Sequence, residues 1–129
     1  MQEQKQALVV DDDEDFVIQQ KNALEKLGFA VTTASGREDA SGKLTAARLD
    51  LAVVDLMMEE MDGGFVLAQQ IKRRYPQARV ILVTAVTGET GLQFDMNSPG
   101  ARRWIKADAV LAKPVRFEQL KREIERVMA

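Results

Sequence analysis

The chain has 129 residues and a formal net charge of −2, from 18 Lys and Arg against 20 Asp and Glu, so its size fits one ordinary globular domain. The acidic balance argues against nucleic acid as a partner. Cysteine and histidine are both absent, which excludes disulfides, thiolate zinc sites, Ser-His-Asp hydrolysis and imidazole metal ligands.

The first element is a short apolar run. Residues 7–11, Ala-Leu-Val-Val-Asp, predict a strand buried on both faces. The acidic residues at 13–15 are typical of a helix first turn, and the apolar stripe that follows is formed by Val17, Leu24 and Leu27. Gly28 suits the position just beyond the end of this helix.

The next three elements repeat this alternation. Residues 29–34 are rich in β-branched side chains and predict a second strand. Residues 38–47 predict a weak helix, interrupted by Gly42. Residues 51–55, Leu-Ala-Val-Val-Asp, have the pattern of the first strand and predict a third one that ends in an acid.

The second half of the chain has two helical stripes and two apolar runs. The stripes are formed by Phe65, Ala68, Ile71 and Tyr75, and by Phe117, Leu120, Ile124 and Val127. Residues 79–84 and 109–112 predict the fourth and fifth strands. Strands that alternate with helices in this way predict an α/β fold with a parallel sheet.

Five polar residues stand at the ends of predicted strands: Asp11, Asp12, Asp55, Thr84 and Lys113. The carboxyl ends of parallel strands lie at one edge of the sheet, where open α/β folds bind ligands. Clustered carboxylates repel one another unless a cation neutralises them, and Mg²⁺ prefers oxygen ligands. A cation and a lysine beside a carboxylate would suit a phosphoryl group.

Four motifs occur in order at these strand ends: Val9-Val10-Asp11-Asp12, Val54-Asp55-Leu56-Met57-Met58 with Met61-Asp62-Gly63, Val83-Thr84-Ala85, and Ala112-Lys113-Pro114. Together they resemble the receiver domain of two-component response regulators, over essentially the whole chain. The resemblance implies a flavodoxin-like fold, with a five-stranded parallel sheet of strand order 2-1-3-4-5 and helices on both faces.

The resemblance also implies a role for each site residue. Mg²⁺ would be held by Asp11, Asp12, Asp55 and the backbone carbonyl of Met57. Asp55 would accept a phosphoryl group from the phosphohistidine of a sensor histidine kinase or a histidine phosphotransfer protein. Thr84 would bond a phosphoryl oxygen, and Lys113 would pair with the phosphoryl group, in a Lys-Pro turn that suits a cis bond.

Such a domain is a signalling module and not an enzyme, because it catalyses only its own phosphorylation and slow dephosphorylation. The absence of histidine fits this role, since a chain without histidine can accept a phosphoryl group but cannot be its phosphohistidine donor. The downstream partner is not indicated by the sequence. We expect one receiver domain over residues 1–129 without an output domain, in the cytoplasm and without contact to nucleic acid or membrane.

Ordinary structural roles are the alternatives for the same residues. Asp11 could cap the first helix, as could Asp13 or Asp15. Asp55 could be an unremarkable strand-end acid, and Thr is common at strand ends. Two other functions also remain: a pseudo-receiver that binds partners without phosphorylation, and a Mg²⁺-dependent phosphatase with an Asp nucleophile. The complete acid, threonine and lysine set argues against the first. The second needs an Asp-x-Asp arrangement, which Asp55-Leu56-Met57 lacks.

The chain departs from the family pattern in three places. Glu59 stands where proline is usual, and Val110 stands where an aromatic residue usually moves on activation. The segment 86–107 is longer than is typical, and we expect a glycine-rich loop followed by a short helix from about Pro99 to Ala107. This segment, which carries Trp104, is therefore predicted to move on phosphorylation in place of residue 110.

Overall fold

Strands and helices alternate along the chain in the computed structural model, which describes residues 4–45, 48–55, 63–84 and 107–128, with the side chains of the third helix described from residue 66 onward. The strands are β1 (Gln6–Val10), β2 (Ala30–Ala34), β3 (Leu51–Asp55), β4 (Arg79–Thr84) and β5 (Ala109–Ala112). The helices are α1 (Glu14–Lys26), α2 (Arg37–Gly42), α3 (Gly63–Arg74) and α4 (Phe117–Met128). Of these helices, none has the length and apolarity that crossing a membrane requires.

The five strands form one parallel sheet in the order β2-β1-β3-β4-β5, as predicted. Val10, the last residue of β1, is paired with Ala34 on one side and with Val54 on the other. Asp55 is paired with Val83, and Thr84 with Ala112. This register brings the ends of β1, β3, β4 and β5 to one edge of the sheet.

Two apolar cores cover the two faces of the sheet, because successive side chains of a strand point to opposite faces. Leu8 and Val10 pack with α2 and α3, whereas Ala7 and Val9 pack with α1 and α4. All five residues of β3, the central strand, are buried. Burial on both faces explains why these strands appear in the sequence as continuous apolar runs.

The buried face of α1 differs from the predicted stripe. Phe16, Gln20 and Leu24 are buried at four-residue spacing, whereas Val17 and Leu27 are only partly buried. Gln20 is polar and interrupts the apolar pattern. The apolar residues alone therefore predicted a buried face that includes Val17 in place of Phe16, one residue further around the helix. Gly28 follows the helix with φ 95°, a left-handed conformation that glycine adopts without strain, as expected from the sequence.

Two other expectations differ from the structure, and a third concerns residues that lie almost entirely outside the described ones. The helix predicted over residues 38–47 ends at Gly42 and begins one residue earlier than expected. Phe117, predicted to be part of the buried stripe of the last helix, is 37% exposed because it stands in the first turn. The predicted loop and short helix within residues 86–107 fall almost entirely outside the described residues.

Candidate functional site

Asp11 directly follows β1 and is almost fully buried, whereas its neighbour Asp12 is exposed. The backbone N–H of Asp11 donates to the carbonyl of Ala34 at 3.2 Å, which extends the pairing with β2 by one residue. Its carboxylate Oδ1 accepts from the backbone N–H of Asp13 at 2.9 Å. Oδ1 of Asp11 therefore takes part in the local turn, whereas Oδ2 is left for contacts with other parts of the chain.

Asp13 is the residue that caps α1. Its Oδ1 accepts from the backbone N–H groups of Asp15 and Phe16, at 3.1 and 3.4 Å. This hydrogen bonding satisfies N–H groups of the first helical turn that have no partner within the helix. The capping role considered for Asp11 thus belongs to Asp13, two residues further on.

Asp55 ends β3 and is 4% exposed. Its carboxylate and those of Asp11 and Asp12 each offer an oxygen, and these oxygens all lie within 4.8 Å of one another. The register explains the proximity, because Val10 and Val54 are paired and an acid follows each of them. Three carboxylates at such distances repel one another strongly unless a positive charge lies among them.

Lys113 supplies one positive charge to this cluster. It follows β5, and its backbone N–H donates to the carbonyl of Thr84 at 2.9 Å. Its Nζ lies 2.9 Å from Oδ2 of Asp11 and 4.4 Å from the centre of the Phe16 ring. The peptide bond between Lys113 and Pro114 is cis, as the sequence suggested.

The surroundings of Lys113 favour its charged form. Burial is the largest influence and acts to lower its pKa, but the contact with Asp11 and the negative charges of Asp55, Asp11 and Asp13 together outweigh it. The pKa of Lys113 is consequently raised above its ordinary value. The ammonium group therefore carries a full charge at neutral pH, within a side chain that is only 22% exposed.

Thr84 ends β4 and is 7% exposed. Its carbonyl holds the backbone of Lys113, so the ends of β4 and β5 are fixed to each other. The sheet thus places Asp11, Asp12, Asp55, Thr84 and Lys113 at its carboxyl edge. Met57, also predicted to be part of the site, lies outside the described residues.

Phe16 is a site neighbour that the sequence analysis did not identify. It is buried in the core between the sheet, α1 and α4, and its ring also faces Lys113. The available signal was an aromatic residue three positions after a helix-capping aspartate. Without the fold, nothing linked that position to a lysine almost a hundred residues later.

The donor set fits a Mg²⁺ ion. All three candidate ligands offer carboxylate oxygens, which are the ligands that Mg²⁺ prefers. Among the described residues, the buried Oδ2 of Asp11 accepts no hydrogen bond of good geometry, although the Lys113 ammonium lies close to it. A buried carboxylate oxygen that already contacts an ammonium group lies where positive charge is favoured, which suits a metal ion as well.

The sequence of the chain agrees over residues 7–125 with the model of the response regulator receiver domain family. The chain belongs to this family. Its members are signalling domains of two-component systems that bind Mg²⁺ in an acidic pocket, and the receivers of response regulators interact with histidine kinases.

Curated relatives of this receiver chain include regulators from several bacteria. The alkaline phosphatase synthesis transcriptional regulatory protein PhoP of Bacillus subtilis is 35% identical over 81 residues, covering 63% of this chain and 33% of PhoP. The photosynthetic apparatus regulatory protein RegA of Cereibacter sphaeroides is 34% identical over 77 residues, covering 60% of this chain and 41% of RegA. The matched segments therefore span less than half the length of either relative.

Solved structures agree with the fold over nearly the whole receiver chain. A CheY-like receiver domain from Methanospirillum hungatei has a TM-score of 0.77 and 25% identity, covering 98% of this chain and 95% of that one. The response regulator TrrA of Thermotoga maritima, solved in complex with Mg²⁺-BeF, has a TM-score of 0.74 and 27% identity, covering 95% and 98%.

Proposed function

We propose that this receiver accepts a phosphoryl group on Asp55 from a phosphohistidine, in a reaction that depends on Mg²⁺. The observation that carries this proposal is the placement of Asp55. It ends the central strand and is nearly buried, with two further carboxylates within 4.8 Å and a charged lysine that follows β5, the strand beyond β4. The donor is a sensor histidine kinase or a histidine phosphotransfer protein, and the exchange takes place in the cytoplasm.

Asp11, Asp12 and Asp55 would hold the Mg²⁺ ion, together with the backbone carbonyl of Met57. The bound ion would supply positive charge that offsets both the repulsion among the carboxylates and the charge of the incoming phosphoryl oxygens. Support comes from the oxygen donor set and from the buried Asp11 oxygen described above. It also comes from TrrA, a relative of similar structure that was solved with Mg²⁺-BeF.

The transfer itself needs a deprotonated Asp55. One of its carboxylate oxygens attacks the phosphorus of the donor, and a P–O bond forms as the P–N bond of the phosphohistidine breaks. The electron pair of the broken bond stays on the ring nitrogen, and the ring leaves as imidazole after taking up one proton. The product is an acyl phosphate on Asp55.

Lys113 and Thr84 would stabilise the phosphoryl group once it is on Asp55. The surroundings of Lys113 favour its charged form, and its side chain reaches the cluster from the end of β5. Thr84 ends the strand next to β3, where its hydroxyl would donate to a phosphoryl oxygen. Because the carbonyl of Thr84 binds the N–H of Lys113, a shift of either strand end would be transmitted to the other.

The proposal is tested by incubating the protein with Mg²⁺ and acetyl phosphate and measuring the mass of the intact protein. We expect one phosphoryl adduct on the wild type and none on Asp55→Asn, which keeps the shape but removes the nucleophile. Asp39→Asn is the matched control, since Asp39 is an exposed acid outside the cluster, and this variant should be labelled like the wild type.

The other two functions give different results in the same experiment. A pseudo-receiver would show no adduct with any donor. A phosphatase would consume acetyl phosphate without a lasting adduct, at a rate that Asp55→Asn abolishes. An adduct that persists on Asp55→Asn would place the acceptor on another side chain and overturn the assignment of Asp55.

A further inference from the structure

Phe16 provides an aromatic surface for the ammonium group of Lys113. The ring lies in the first turns of α1, is 7% exposed, and has Nζ of Lys113 at 4.4 Å from its centre. The cap formed by Asp13 fixes this turn, because its Oδ1 binds the N–H of Phe16 itself. The position of the ring is thus determined by both the helix start and the core.

The described residues contain other contacts between a cation and a ring, but these involve no residue of the cluster. Lys26 lies 5.8 Å from the ring of Phe117, where both residues are exposed. The Phe16 contact is shorter and largely removed from solvent. Attraction between a cation and an aromatic face is stronger where water is excluded.

The closest charged partner of Lys113 is also a candidate ligand of the metal ion. Its Nζ lies 2.9 Å from Oδ2 of Asp11, the oxygen without a hydrogen bond of good geometry among the described residues. A Mg²⁺ ion bound to this oxygen would repel the ammonium group and would occupy the oxygen that is now its nearest charged partner. Lysine has a long flexible stem, so an ammonium released in this way could leave the cluster.

We propose that Phe16 is a positioning residue that keeps the Lys113 ammonium beside Asp55 when Mg²⁺ occupies Asp11. This inference rests on the proposed function. The ring attracts the ammonium without depending on the carboxylates, so its contribution persists after the metal has bound. Lys113 is then already in place when the phosphoryl group arrives, and less ordering remains to be done during the transfer.

The first test is NMR spectroscopy of protein labelled with ¹³C at the lysine Cε positions, without a phosphodonor. The Lys113 signal is assigned by its loss in Lys113→Arg. Protons above an aromatic face are shifted upfield, so we expect the Lys113 Hε signals upfield of those of exposed lysines, both without and with Mg²⁺. The shift should disappear in Phe16→Met and remain in Phe16→Tyr, which keeps the ring.

The second test is a double-mutant cycle on labelling by acetyl phosphate at saturating Mg²⁺. We expect Phe16→Met to slow labelling by about fivefold, and Phe16→Tyr to restore it to near the wild-type rate. In a Lys113→Met background, Phe16→Met should have no further effect, because the ring acts through the lysine. Thermal unfolding of each variant shows that it is folded at the temperature of the assay.

Several results would overturn the inference. One is an unshifted Lys113 signal in the wild type, and another is a shift lost on addition of Mg²⁺. Equal slowing by Phe16→Met in the presence and absence of Lys113 would show that the ring has only a packing role. Absence of labelling in the wild type would overturn the proposed function instead, and the NMR result distinguishes that failure from a failure of the Phe16 inference.

Discussion

The ammonium group of Lys113 lies 2.9 Å from Oδ2 of Asp11, so the last strand of the sheet supplies a cation to an acid that follows the first. The side chain of Asp11 is completely buried, and its other oxygen is held by the N–H of Asp13. Lys113 therefore partly offsets the repulsion among the carboxylates. Mg²⁺ would do the same, so the lysine and the metal ion would compete at this acid.

The first prediction concerns this competition. Replacing Lys113 with Met removes a positive charge close to the proposed metal position, and we expect Mg²⁺ to bind on the order of tenfold more tightly. Isothermal titration calorimetry measures the change. Lys121→Met, which removes an exposed lysine of α4, should leave the affinity unchanged. Weaker binding in Lys113→Met would show that the lysine supports the metal site.

The second prediction concerns pH. Because the folded-state pKa of Lys113 lies above its ordinary value of 10.5, its charge stabilises the fold at neutral pH, and this contribution is lost as pH rises through the folded-state pKa. We expect Lys113→Met to lower the free energy of unfolding by about 2 kcal/mol at neutral pH without Mg²⁺. The difference should shrink in denaturant titrations above about pH 11. A difference that is the same at both pH values would contradict the prediction.

The third prediction concerns the metal cluster. Millimolar Mg²⁺ should raise the melting temperature of the wild type, because a ligand that binds only the folded state stabilises it. Asp12→Ala should remove most of this response and still fold, since Asp12 is exposed. The control is Asp15→Ala, which loses the same charge from the nearby first turn of α1. Equal responses in Asp12→Ala and the wild type would show that Asp12 is not a ligand.

The fourth prediction concerns Gln20. This side chain is 1% exposed, and its Oε1 has no hydrogen-bond partner among the described residues. Leaving a buried polar atom unpaired costs about 1–3 kcal/mol, so Gln20→Met, of similar shape, should raise the free energy of unfolding by about 1 kcal/mol. Gln19→Met, on the exposed side of the same helix, should change it little. A destabilised Gln20→Met would point to a partner such as a buried water molecule.

The fifth prediction concerns the response to phosphorylation. If Thr84 binds the phosphoryl group, the chain beyond β4 is drawn inward, and we expect the fluorescence of Trp104, the single tryptophan, to change on addition of beryllofluoride. Thr84→Ala should accept a phosphoryl group but lose most of this change. Hydrogen exchange over residues 86–107 gives an independent measurement. Complete labelling of Asp55 with neither signal altered would contradict the role expected for this segment.

Much of the sheet could be predicted because three of its strands, β1, β3 and β4, are buried on both faces. β3 appears in the sequence as Leu-Ala-Val-Val before an acid, and β4 as a similar apolar run before Thr84. Such runs are visible without knowledge of the fold, and parallel strands must end at a common edge. The meeting of Asp11, Asp55, Thr84 and Lys113 at one edge follows from these two facts.

The sequence alone therefore determined which strands form and which polar residues end them, since both depend on local patterns. Only the tertiary structure decided which face of α1 is buried and where Lys113 points. The polar Gln20 occupies an apolar position and concealed the stripe of Phe16 and Leu24. The contacts of Lys113 with Asp11 and Phe16 join residues about a hundred positions apart, and such contacts are set by strand register and helix packing, which no local pattern specifies.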